Sequence, residues 1–96
     1  MYYETKVAVK RSFRISKILF GMGIDRYREL LRHISTIEMP SETELDAYLD
    51  AGMNEEEAVV AELKRRYRDA ALSSGFTEEQ GIAMLEYTAM LKELNE

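Results

Sequence analysis

Cysteine is absent from all 96 residues, so neither a disulfide nor a thiolate metal site can be built, and the chain suits a reducing compartment. Tryptophan is also missing. Proline occurs once, at Pro40, leaving a single place where ring chemistry alone must interrupt a helix. Histidine, the usual carrier of protons near neutral pH, is present once, as His33. Apolar runs are short, Ile18-Leu19-Phe20 being typical, and none approaches the roughly 20 residues of a membrane span. The opening Met1-Tyr2-Tyr3-Glu4-Thr5-Lys6 lacks the basic region, apolar stretch and cleavage site of a secretory signal. These absences predict a cytoplasmic chain with no membrane span.

What is present is a mixture of 46% hydrophobic and 32% charged residues, too apolar for a disordered chain and enough for one core. A single domain is expected over 1–96. Its net charge of -5 hides a division, because residues 1–33 carry a net +5 and the remaining 63 carry -10. The chain therefore reads as a basic module over 1–38 followed by an acidic part over 39–96. Such asymmetry points to a polyanionic partner for the basic part, or to attraction between the two parts within one fold.

Residues 2–10 alternate, with Tyr3, Thr5, Val7 and Val9 on one face, the period of a half-buried strand. No second strand pattern follows, so its backbone is expected to pair with another copy of the chain. After it the apolar period becomes helical. Ile15, Ile18, Leu19 and Met22 mark a short first helix ended by Gly21 and Gly23, and Ile24, Tyr27, Leu30, Leu31, Ile34 and Ile37 mark a second, capped by Asp25. Three more helix starts carry capping-box spacing, Ser41 with Glu44, Asn54 with Glu57 and Thr77 with Gln80. With stops at Gly52 and Gly75, these bound helices at about 41–51, 54–74 and 77–95. In the middle one, Val60, Leu63, Tyr67, Ala70 and Ala71 are expected to face the core. The last shows two apolar faces, Met84, Tyr87, Leu91 and Leu94 on one and Ile82, Leu85 and Ala89 on the other, so it is central in the monomer or meets a second subunit. The expected fold is mainly α, an N-terminal β-strand followed by about five helices in a compact bundle, with the strand paired in a homodimer.

Candidates for chemistry are few. His33 lies at the edge of an apolar stripe, one turn after Glu29, where a structural role is the simpler reading. No serine stands in a nucleophile-elbow context. Glu42, Asp46 and Asp50 recur every four residues and would form a ladder of negative charge, while Glu55-Glu56-Glu57 complements the positive end of a helix dipole. Lys64-Arg65-Arg66-Tyr67-Arg68 reads as a solvated helix face, and Gly21-Met22-Gly23 is too short for a phosphate loop. No catalytic residue, metal site or cofactor is assigned.

A basic strand, a short basic helix, a glycine turn and a second arginine-bearing helix follow one another at the N-terminus. In order and polarity this layout resembles the ribbon-helix-helix repressors, with a shorter first helix and with Glu4 and Ala8 beside Lys6 on the outward strand face. The resemblance implies a dimer whose paired strands enter the DNA major groove. Lys6, Lys10, Arg11, Arg14, Lys17, Arg28 and Arg32 are the nucleic-acid candidates, and Tyr3, Val7, Val9, Ile82, Leu85 and Ala89 the dimer contacts. The competing expectation is a protein-binding module, an adaptor or an inhibitor of a nucleic-acid enzyme, that uses the acidic ladder Glu42, Asp46 and Asp50. A third places residues 13–24 flat on an anionic membrane. The first two share a small, non-enzymatic regulatory or binding protein.

Overall fold

A computed structural model of the chain describes residues 14–94. Five helices follow in order: α1 over 14–21, α2 Ile24–Ile34, α3 Asp46–Asp50, α4 Glu55–Ser73 and α5 Glu78–Leu94, with a 3₁₀ turn Thr43–Leu45 leading into α3. Among the described residues there is no strand. The expected fold class is corrected to a helical one, since a core drawn from α1, α2, α4 and α5 closes within one chain. The strand expected over 2–10 lies outside the described residues, as do Tyr3, Val7 and Val9.

Local chemistry sets most helix ends. Asn54 Oδ1 accepts from the Glu57 N–H at 2.8 Å while the Glu57 carboxylate accepts from the Asn54 N–H, a complete capping box at the start of α4. Thr77 and Gln80 exchange the same two bonds at the start of α5. The Ser41 box is only half made: Glu44 accepts from both the N–H and the hydroxyl of Ser41, and that hydroxyl's neighbour is the Thr43 hydroxyl at 3.3 Å in place of the Glu44 N–H. The expected helix over 41–51 is accordingly a 3₁₀ turn followed by little more than one α-turn. Gly52 and Gly75 take φ of +99° and +85°, and in each case the next residue's N–H reaches back five positions to close the helix, Met53 to the Tyr48 carbonyl and Phe76 to the Ala71 carbonyl.

Two expectations at α2 shift. Gly23, not Asp25, occupies its N-cap, and Asp25 contributes from the first turn, where a negative charge suits the helix dipole. The helix also stops before Met39-Pro40, at Ile34, where the hydroxyls of Ser35 and Thr36 donate to the Arg32 and His33 carbonyls that a further turn of backbone N–H groups would otherwise have met.

Ile15, Leu30 and Met84 are the largest side chains fully withdrawn from water, joined by Leu19, Ile34, Ala71, Phe76 and Ala83. α5 lies centrally. On one side Gly81 meets α4 so closely that an added Cβ would stand 2.7 Å from the Tyr67 carbonyl oxygen and 2.8 Å from the Ala71 Cβ. On another, Ile82 and Ala83 line a groove with Ile15 and Ile18 of α1. Of the two apolar faces read in the sequence, Met84 is buried in the core and Ile82 lines the groove against α1, whereas Leu91 and Ala89 are exposed. Arg26 fastens α2 to the turn before α5, its guanidinium 4.2 Å above the Phe76 ring and donating to the Gly75 carbonyl at 3.1 Å.

On α4 the expected core stripe holds at Ala71, which is buried, and at Tyr67, which packs against the core, and fails at its first position. Val60 is exposed, whereas Ala58 and Glu62 are buried. The reason is polar: Glu62 is the hub to which the 3₁₀ turn and α3 attach.

Candidate functional site

Glu62 is 4% exposed and accepts four bonds. Its Oε1 receives the Tyr48 hydroxyl at 3.1 Å and Arg65 Nε at 3.0 Å, and its Oε2 receives Arg65 Nη2 at 2.7 Å and Arg66 Nε at 2.9 Å. Arg66 also donates to the Glu38 carbonyl and to the Glu44 carboxylate. The bonds from Arg65, outweighing the cost of burial, hold the Glu62 carboxyl down at about 2. Ser41 holds Glu44 below the usual carboxylate range, and Glu62 raises both arginines further. Every member of this cluster is bonded to another, so it clamps residues 38–48 onto α4. The basic run at 64–68 is thus a solvated face at Lys64, Arg65 and Arg68, as its composition suggests, while Arg66, 18% exposed, is drawn into the clamp.

The residues read as sites fall in three places. Lys6, Lys10 and Arg11 lie outside the described residues. Arg14 lines a groove of about 360 Å³ between α1 and α5, shared with the carboxylates of Glu78, Glu79 and Glu86, so its charge faces acid from the same chain. Lys17 and Arg28 are exposed and have no acidic partner among the described residues, and Arg32 meets Glu29 only at 3.8 Å, both side chains largely in solvent. Glu42, Asp46 and Asp50 are all exposed along the 3₁₀ turn and α3, opposite the buried Leu45. Of the expected dimer contacts, Ile82 lines the groove against α1, Leu85 is half-buried and Ala89 exposed.

What sequence periodicity missed is a second hollow, of about 250 Å³, between α1, α2 and α5. Leu19, Tyr27 and Tyr87 form its walls, and Phe20 and Ile24 stand at its mouth, 84% and 62% exposed. Burial, helped by the neighbouring Tyr87 hydroxyl, holds the Tyr27 phenol above its ordinary range, so the ring stays neutral at any physiological pH. The apolar surface continues along two helices. Leu31 follows Tyr27 by one turn on α2 and Leu91 follows Tyr87 by one turn on α5, both exposed. The signal available in the sequence was the width of the α2 stripe: six apolar positions are more than one packing seam needs, and the two at its edge, Ile24 and Leu31, are the ones left in water.

Among the described residues no cluster of His, Asp or Glu is arranged to hold a metal ion, and no helix is long and apolar enough to cross a membrane. Compared with protein-family models, curated proteins and solved structures, the chain matches none.

Proposed function

We propose that this chain is a non-catalytic protein-binding module whose working face is the hollow between α1, α2 and α5. One observation carries the reading: Phe20, a large aromatic side chain, stands 84% exposed at the mouth of an apolar hollow that the described side chains leave unfilled. Covering a side chain of that size removes enough apolar surface from water to supply about 1.5–3 kcal/mol, so leaving it exposed beside Ile24 is a standing reason to associate. Aromatic anchors beside a small pocket are also the usual centre of a protein interface. The groups with shifted ionisation outside the hollow are bonded to one another in the Glu62 clamp, which supports a structural use for them and not an enzymatic one.

The test is a binding selection against the folded protein with Phe20→Ser as counter-target. Ligands that bind the parent at least tenfold better than the variant are expected; ligands indifferent to Phe20 would remove the hollow as the working face. A second reading, nucleic-acid binding through the basic module, has one supporting observation, the exposed Lys17 and Arg28 without acidic partners. It expects affinity for duplex DNA that falls steeply between ~50 and 200 mM salt, and weak or salt-indifferent binding would dismiss it.

A further inference from the structure

Resting on the protein-binding reading of the hollow, we infer that its occupant is an amphipathic helix from a partner protein, apolar along the seam that enters the hollow and acidic at its flanks. Size comes first. A hollow of about 250 Å³ accommodates one or two side chains, below the range of pockets that enclose a whole small ligand. The apolar surface is longer than the hollow, running from Ile24 through Tyr27 to Leu31 along α2, two turns of helix. A seam of that length matches anchors spaced i, i+3 or i+4, and i+7 on an incoming helix.

Charge then selects the flanks. Arg28 lies one turn on from Ile24, Arg32 one turn on from Arg28, and Lys17 one turn before Phe20, so cations border the apolar seam on both α1 and α2. Lys17 and Arg28 have no acidic partner among the described residues, and the Arg32–Glu29 approach of 3.8 Å is solvent-screened. An acidic flank would meet all three. A flat anionic membrane is the weaker match: the outer side of α2 also presents exposed Asp25 and Glu29, which a broad surface must approach and a single helix can avoid, and lipid supplies no side chain to fill the hollow between Tyr27 and Tyr87.

The experiment is a displayed library of helical peptides about 18 residues long, with apolar positions at helical spacing and flank positions free to be acidic, basic or neutral. The whole chain is the bait. Enrichment of Asp and Glu at the flanks is expected, with binding reduced about tenfold or more by Phe20→Ser. The Lys17→Glu/Arg28→Glu double variant should weaken the acidic peptides by a similar factor and shift the selection towards basic flanks. Phe20-dependent peptides with neutral or basic flanks would overturn the acidic occupant while leaving the hollow as a docking face. No Phe20-dependent peptide at all would overturn both. Two further outcomes also overturn the inference: Phe20-dependent sedimentation with phosphatidylserine vesicles in the absence of peptide, and a Phe20-dependent dimer of the chain at the concentrations used.

Discussion

Burial of a charged carboxylate is unfavourable unless bonds replace its water, and at Glu62 four bonds do. Removing the carboxylate leaves Arg66, whose side chain is only 18% exposed, without its main partner. Glu62→Ala is therefore expected to cost about 3 kcal/mol in urea unfolding, far more than a surface glutamate would. The same group sets an acid response. Its carboxyl is lowered from an ordinary 4.5 to about 2 in the folded state, so on acidification the unfolded chain takes up the proton first. The stabilisation is whole above about pH 4.5 and is lost progressively as the pH falls towards about 2. Unfolding measured across that window should show a steeper loss for the parent than for Glu62→Gln, and parallel curves would contradict the clamp.

These residues also show what a one-dimensional pattern can and cannot convey. Asn54 with Glu57 and Thr77 with Gln80 were legible because both partners of each bond lie within one turn, and the spacing itself is the structure. Glu62 was not, since its burial depends on Tyr48, 14 residues away, and its partner Arg66 is held by Glu44, 22 residues away. Charge in a sequence says nothing about whether it meets a partner at such distances. Phe20 falls outside the α1 stripe of Ile15, Ile18, Leu19 and Met22, so its exposure agrees with the period; the hollow beside it was not legible, because it belongs to three helices at once.

At the scale of the element, two glycines inside helices make opposite predictions. Gly21 closes α1 with helical backbone and open space around it, so Gly21→Ala is expected to stabilise by about 0.5 kcal/mol through the lost freedom of the unfolded chain. Gly81 is equally helical, but its Cβ would meet the Tyr67 carbonyl at 2.7 Å, backbone that cannot turn aside. Gly81→Ala should force α4 and α5 apart and destabilise by about 1–3 kcal/mol. Thermal melts of the two variants side by side would check the difference in sign. A stabilised Gly81→Ala would mean that the α4–α5 approach is looser than described. Gly21, Gly52 and Gly75 could be read from the sequence as helix ends, whereas the role of Gly81 could not, because a stop is local and a close approach belongs to two helices at once.

For the whole molecule, the division of charge along the chain carries over into space only in part. The groove between α1 and α5 brings Arg14 to Glu78, Glu79 and Glu86, so basic and acidic parts do meet there, while Lys17 and Arg28 stay in solvent beside the hollow. The acidic ladder Glu42, Asp46 and Asp50 belongs to the 3₁₀ turn and α3, which the Glu62 clamp ties to α4, whereas the hollow is built by α1, α2 and α5. Exposed charges separated by more than about 8 Å are largely screened at physiological salt, and α3 packs chiefly on the 3₁₀ turn and α4, neither of which lines the hollow. Reversing the ladder by Glu42→Lys, Asp46→Lys and Asp50→Lys together should therefore leave the fold intact, with a melting temperature within a few degrees of the parent. It should also change the affinity of a Phe20-dependent peptide by less than about threefold at physiological salt. A large loss of peptide binding in a folded triple variant would show that the two surfaces act as one, and would move the working face towards α3.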